Sequence, residues 1–352
     1  MKNVLMLYPN MLFYKVAIFN KLSDYLRKSG YNLIIWYRRM YDPFNECHFN
    51  HIDYKMTRNE YKRVIKEYKT DIIINILFKK DPGIFFYFFS ILYAKFHNIP
   101  VLYYGHGFHL QKNQSWRDFL YNLTYLLFDG IILYSPKEKN RLWKFYHNKV
   151  TFAINTLDIE DTRVAKKREQ IKQELNITEQ KIILTTGRLH SRKKIKILSD
   201  IFLKNYSDSS EVAWIIVGPD LSNEIKTAIM GIKNIYYLGP IYEKQKIAEI
   251  FSIADIYCVP GALGLGIVEA IYWGLPIVTM NVNHGPEAFL LRNKENALVA
   301  RDKEELENCI KEILVDDDRR NIFSINAKKI FFQEATLDKM FTGFVSQLTR
   351  FY

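Results

Sequence analysis

The chain has 352 residues, 48% of them hydrophobic and 25% charged, with a formal net charge of +12. That length suffices for two domains of ordinary size, and that composition excludes a disordered or low-complexity protein. Three scattered cysteines, Cys47, Cys258 and Cys309, have no CxxC spacing, which excludes a disulfide framework or a zinc site and fits a reducing compartment. Charge is unevenly placed. Residues 1–150 hold 23 Lys+Arg against 11 Asp+Glu and 34 of the 53 Phe, Trp and Tyr, while the remainder holds 27 charges of each sign. A basic, aromatic-rich first half points to an anionic partner: phospholipid, lipid pyrophosphate or nucleic acid. No nucleic-acid-binding motif accompanies it, so no nucleic acid is expected.

In chain order, Asn3–Leu7 reads as a buried first strand, since one lysine and a short apolar run do not make a signal peptide. After the turn YPNMLFYK, Val16, Ile18, Phe19, Leu22 and Leu26 fall at helical spacing within a helix over 14–27. Gly30 caps it before a strand over 31–37. The run DIIINILF (71–78) is almost wholly apolar, as a parallel-sheet strand requires. The stretch from Pro82 to Pro100 offers roughly a dozen apolar positions where a spanning helix needs about twenty. We read a buried helix there, with one lying on a bilayer face as the alternative. A strand over 101–104 runs into YGHGFH, setting His106 between two glycines at a strand end, with His109 close behind. Then come a helix, a strand over 130–134, and a second helix opened by Ser135 as cap and Pro136 as first residue. A strand-like segment over 152–158 follows. The charged segment IEDTRVAKKREQIKQELN has neither Gly nor Pro and reads as a polar helix leading into a second domain, with the division at 165/166.

The second domain opens with a strand over 181–185 and the basic turn GRLHSRKK. Arg188 and Lys193 thereby stand just past a strand end, where a guanidinium fork and an ammonium can neutralise a diphosphate. A strand over 214–217 ends at Gly218, NIYYLG ends at Gly239, and a helix covers 244–254. Residues 254–287 then give strand, glycine loop, helix, Gly stop and strand. The loop carries Gly261, Gly264 and Gly266, and the helix runs through Glu269 to Trp273. This βαβ order belongs to open parallel sheets, whose ligands sit beyond strand C-termini where helix amides meet phosphate. Glu269, early in that helix, is placed to accept hydrogen bonds from a ribose diol. After an amphipathic helix over 302–314, Asp316-Asp317-Asp318 reads as a solvated acid run rather than a DxD metal motif. Phe341, Phe344, Val345 and Leu348 form the apolar face of a last helix.

Pro260, Gly264, Leu265, Glu269, Ala270, Gly274, Pro276, Gly285 and Glu287 together resemble the pattern of the retaining GT-B glycosyltransferases of family 4. Gly187, Arg188, Leu189 and Lys193 are similar to that family's G-R-L-x-x-x-K motif. Two positions depart from it. The family's sugar-holding glutamate, eight residues before Glu269, is Gly261 here, and Lys194 replaces the glycine after the motif lysine. The resemblance implies an α/β GT-B architecture of two Rossmann-like domains facing across a cleft. An acceptor-binding domain would occupy 1–165 and a nucleotide-sugar-binding domain 166–335, with a C-terminal helix in 336–352 packing back on the first.

The same resemblance implies transfer, with retention, of a sugar from a nucleoside diphosphate sugar to a glycan or lipid-linked acceptor, as in bacterial surface polysaccharide synthesis. Neither metal nor cofactor is implied. His106, Arg188 and Lys193 would be catalytic, and Gly187, Gly239, Gly264, Leu265, Gly266 and Glu269 would bind the donor. Lys15 would be an acceptor-side cation, or else a solvated lysine at a helix start. The basic first domain adds an expected seat on an anionic membrane surface, at the cytoplasmic face. Three rivals share parts of this pattern. They are a GT-B sugar-nucleotide epimerase, a dinucleotide-dependent oxidoreductase and a non-catalytic basic binding protein. The second lacks a GxGxxG after the first strand, and the third is suggested by Gly261.

Overall fold

A computed structural model describes every residue except 9, 42–45, 54, 77–82, 109–114 and 352. The chain divides into two compact units, Met1–Asp158 with Leu337–Tyr352, and Ile159–Thr336. In the first unit the order is β1 (Lys2–Leu7), β2 (Asn10–Leu12), α1 (Phe13–Lys28), β3 (Tyr31–Trp36), β4 (Arg39–Tyr41), β5 (Asn50–Ile52) and α2 (Arg58–Glu67). It continues through β6 (Ile72–Asn75), α3 (Ile84–Phe96), β7 (Val101–Gly105), α4 (Ser115–Tyr125), β8 (Gly130–Leu133) and β9 (Val150–Phe152). Seven strands form a parallel sheet in the order β5-β3-β1-β6-β7-β8-β9, while β2 and β4 pair separately. Successive side chains of a strand face opposite ways. Val4 and Met6 therefore enter one core with Phe19 and Leu22 of α1, and Leu5 and Leu7 enter another with α2 and α3.

The second unit runs α5 (Arg168–Glu174), β10 (Lys181–Thr186), α6 (Ile195–Tyr206), β11 (Val212–Val217), α7 (Asn223–Ile229), β12 (Ile235–Gly239) and α8 (Lys244–Ile253). Then come β13 (Ile256–Cys258), α9 (Gly266–Trp273), β14 (Ile277–Met280), β15 (Ala297–Ala300), α10 (Lys303–Val315) and α11 (Asp317–Glu334). Its six strands, all parallel, lie in the order β12-β11-β10-β13-β14-β15. The chain winds outward one way from β10 and then restarts on its other side at β13, so the topological switch point lies between these two strands. Ligands of open parallel sheets settle at such points. The last helix, α12 (Leu337–Leu348), returns to the first unit, where Phe341, Phe344 and Leu348 join the core of α1.

Five expectations change in detail. The polar segment after Asp158 is not one helix, and only Arg168–Glu174 is helical. Tertiary bonds hold the residues before it in other conformations: the Tyr272 hydroxyl donates to the carbonyls of Glu160 and Thr162, each at 3.3 Å, and Gln245 Nε2 donates to that of Arg163 at 3.0 Å. The units accordingly part at Asp158–Ile159, ahead of position 165. The apolar helix α3 is buried on one side only. The strand expected over 71–78 is helped by the sheet only as far as Asn75, and residues 77 and 78 lie outside those described. Finally, Asp316 is not merely solvated. Its carboxylate caps α11 by accepting from the Arg319 N–H at 2.9 Å, while Asp317 pairs with Lys181 at 2.6 Å. Among the described residues no helix is long and apolar enough to cross a membrane.

Candidate functional site

Three neighbouring strands of the second unit run out into glycine: β10 into Gly187, β11 into Gly218, and β12 at Gly239. The Gly187 N–H donates to the Val217 carbonyl at 3.0 Å and the Gly218 N–H to that of Gly239 at 2.8 Å. A side chain at Gly218 would put its Cβ 1.9 Å from the Gly187 carbonyl oxygen, at a φ of 143°. Only glycine fits. The strand ends therefore present main chain alone.

Beside them, across the switch point, the loop after β13 is tied to the basic turn after β10. Gly261 N–H donates to the Lys193 carbonyl and Ala262 N–H to that of Arg192, both at 2.8 Å. A Cβ on Gly261 would sit 2.1 Å from the Arg192 carbonyl oxygen. At this close approach of two backbones no side chain has room. Further on, Leu263 N–H donates to His284 Nδ1 at 3.1 Å, and the Leu263 carbonyl accepts from Gly285 N–H at 2.6 Å. His284 Nε2 stands 3.0 Å from the Met280 carbonyl and donates to it. These bonds fix Gly264 and Leu265 at the start of α9, whose first residue is Gly266. The amides of a first helical turn have no intrahelical acceptors and attract anions.

Charge gathers at the same point. Lys193 is buried, and burial pushes its ammonium down to about 8, against the opposing pull of the Glu287 carboxylate. Glu287 is buried too, with Oε2 3.9 Å from where a Gly264 Cβ would stand. Lys193 Nζ lies 3.7 Å from the corresponding position at Gly187. Lys193, Glu287, Gly187 and Gly264 therefore converge. Arg188 does not join them: it is exposed, with Nε 3.6 Å from Asp220 Oδ2. Glu269 is partly exposed at its surface, yet burial raises its carboxyl to about 7, with Lys244 opposing. Near it, the buried Tyr257 hydroxyl meets Thr186 Oγ1 at 3.2 Å and the Thr186 carbonyl at 3.3 Å, at the end of β10.

In the first unit His106 follows β7 directly. Its ring packs edge-on to Tyr134 at 4.8 Å, and Tyr134 edge-on to Tyr104 at 4.7 Å. The residue keeps exposed surface, but packing and the nearby Lys15 ammonium both disfavour the imidazolium and lower its pKa. Lys15 is not solvated. It is buried, with Nζ donating to Asn155 Oδ1 at 2.6 Å. His109 lies outside the described residues. Among the described residues, no group of three or more His, Cys, Asp or Glu is placed to hold a metal ion.

Sequence reasoning put Glu287 in a motif without a role, and it missed Tyr257, His284 and Asn155. The turn HGPE carried the signal for His284 and Glu287. Nothing local marks Tyr257 or Asn155, whose partners lie 71 and 140 residues away.

Residues 166–330 match the family described as Glycosyl transferases group 1. The second unit therefore matches the group 1 glycosyltransferases. Over 270 residues the chain is 23% identical to an uncharacterized glycosyltransferase of Haemophilus influenzae, covering 74% of this chain and 70% of the relative. Anabaena Alr3699/HepE, solved in complex with UDP and glucose, superposes with a TM-score of 0.76 at 15% identity, covering 99% of this chain and all 100% of that one. Sucrose-phosphate synthase from Thermosynechococcus elongatus gives 0.73 at 16% identity, with 99% and 98% covered. The two parallel sheets with flanking helices match these structures, and the fold is GT-B. A group 1 domain on this fold supports a glycosyltransferase.

Proposed function

We propose that this chain moves a sugar from a nucleoside diphosphate sugar to an acceptor hydroxyl, with retention and without a metal. The acceptor is a glycan or lipid-linked glycan, as in surface polysaccharide synthesis. The observation that carries the reading is the convergence of bare strand ends, the α9 N-terminus and buried Lys193 at the β10/β13 switch point. Departure of the diphosphate is the hard step, because negative charge grows on its oxygens as the glycosidic bond breaks. The Lys193 ammonium and the amides at Gly264, Leu265 and Gly266 meet that charge without reorganising. Arg188 adds a second cation; its exposed contact with Asp220 is weak and yields to phosphate at small cost. Glu269 accepts from the ribose hydroxyls, and the open backbone at Gly187 and Gly239 lets the nucleotide approach. In the first unit His106, held neutral, offers a nitrogen to a hydroxyl of the sugar or acceptor. That Alr3699/HepE was solved with UDP and with UDP-glucose supports a nucleotide donor.

Incubating the full chain with a panel of nucleotide sugars, with and without excess chelator, tests this. At least one donor should release its nucleoside diphosphate at the same rate in both conditions, and the product anomer should match the donor's. An epimerised sugar nucleotide without net transfer assigns the epimerase reading instead, and no turnover of any donor assigns a binding protein.

A further inference from the structure

The helices α3 and α4 lead into and out of β7 on one face of the first unit's sheet. Their inner residues, Phe86, Tyr87, Ile91 and Tyr125, share one core. Outer faces of such helices are normally polar. Here they are not. On α3, Phe85, Leu92 and Phe96 recur at i, i+7 and i+11, a single stripe, with Phe85 78% and Phe96 86% exposed. On α4, Trp116, Phe119, Leu120 and Leu123 recur at i, i+3, i+4 and i+7 and are all exposed. Two apolar stripes on helices that share one core exceed the scattered apolar residues of an ordinary surface and mark a site of interaction.

The charges beside the stripes identify the occupant. Every carboxylate between 84 and 149 is already engaged. Asp118 accepts from Arg141 Nε at 2.9 Å, and Asp129 accepts from the Val101 N–H at 2.8 Å and from Lys95 Nζ at 2.5 Å. Glu138 is buried and accepts from the Ser135 hydroxyl at 2.9 Å. The cations are not so matched. Arg58 and Lys62 lie 5.3 and 6.0 Å over the Phe89 ring, and Arg117 lies 5.2 Å over that of Trp116. Lys144 adjoins Trp143, whose ring packs on Phe119 at 5.6 Å. None of these four forms an ion pair among the described residues. A second copy docked by two-fold symmetry would bring such cations against their own images. A layer of anionic headgroups over hydrocarbon suits both components, since rings and leucines enter the interface while Lys and Arg reach phosphate.

We propose that the outer faces of α3 and α4 form a docking surface for an anionic lipid bilayer. The surface uses none of the residues assigned to sugar transfer, so it stands or falls separately from that activity. The test is sedimentation of the full chain, without donor, with vesicles of phosphatidylcholine alone or mixed with phosphatidylglycerol. The chain should sediment with the mixed vesicles at low salt, be released at high salt, and ignore the neutral ones. The double variant Phe119→Gln, Leu123→Gln should lower partitioning at least about tenfold, and Arg117→Gln, Lys144→Gln should do likewise while flattening the salt dependence. Should the apolar variant fail to melt like wild type, the second readout is fluorescence. Brominated lipid should quench the wild-type protein, and Trp116→Phe should remove most of that quenching. Absence of wild-type binding to the mixed vesicles, or undiminished binding or quenching in the variants, overturns the proposal. So does a concentration-dependent dimer in solution that the apolar variant abolishes, which would assign the surface to a second copy.

Discussion

Where β10, β11 and β12 end, Gly187, Gly218 and Gly239 leave only main chain; where β1, β7 and β8 end, Tyr8, His106 and Tyr134 supply rings, with Lys15 held behind them by Asn155. Both sets occupy C-terminal ends of parallel strands, yet one presents backbone and the other side chains, of which His106 alone keeps exposed surface while Tyr8 and Tyr134 are buried. Backbone amides read charge and shape, which every nucleoside diphosphate shares. Side chains read particular hydroxyls and rings, which differ from acceptor to acceptor. The proposed division of labour follows: a generic grip in the second unit and a specific one in the first.

The sharpest way to break that contrast is at Lys193, the one buried side-chain cation in the backbone-built half. Lys193→Ala should cut nucleoside diphosphate release by at least about a hundredfold. It also removes a buried side chain, so the melting temperature should fall as well. Wild-type turnover in Lys193→Ala would remove the assignment.

Next in size are the two close approaches. At Gly218 and Gly261 the facing atoms are carbonyl oxygens of fixed backbone, which cannot yield as a flexible side chain would. Ala at either should cost about 2 kcal/mol or more in urea unfolding. His106→Ala, by contrast, should leave stability within about 0.5 kcal/mol. It should lower transfer by about tenfold or more, with nucleotide affinity unchanged in calorimetry. Equal losses of affinity on both sides would erase the distinction between the two grips.

Two pH effects refine it. The proposed role needs Lys193 charged, and burial pushes its pKa down to about 8. Nucleoside diphosphate affinity should therefore fall as pH rises through about 8, and this dependence should vanish in Lys193→Ala. The smallest effect concerns Glu269. Its folded pKa, about 7, lies above the ordinary value of 4.5, so the folded state holds the proton more tightly. That stabilisation is complete below the ordinary value and lost as pH rises through about 7. Its size is on the order of 1 kcal/mol, allowing for the residue's partial exposure. Glu269→Gln should flatten the melting temperature between these limits.

What the sequence reveals follows the same divide. The second unit's site is written in local patterns: glycines at strand ends, G-R-L-x-x-x-K and the βαβ run through Glu269. Backbone geometry needs particular residues at particular spacings, so its signature survives in one dimension. The sheets were legible for the same reason, as continuous apolar runs such as Ile72–Asn75. The first unit's site depends on contacts between distant residues. Lys15 looks like any lysine at a helix start until Asn155 accepts from it across 140 positions. Gly261 reads only as the absence of a sugar-holding glutamate, and nothing local shows that the Arg192 carbonyl lies 2.1 Å from where its Cβ would stand. The segment after Asp158 misled because local helix propensity yields to the Tyr272 hydroxyl and Gln245, neither of which is near in sequence.

The return of α12 sets an order of assembly during synthesis. Leu337–Leu348 leaves the ribosome only after every residue of the second unit, yet Phe344 and Leu348 belong to the core shared by Val4 and Phe19. The second unit is contiguous and can close as soon as it is made. The first begins earlier and finishes later, holding an open apolar face while nearly two hundred residues are translated. That face, rather than either finished unit, is where a nascent-chain chaperone has reason to bind.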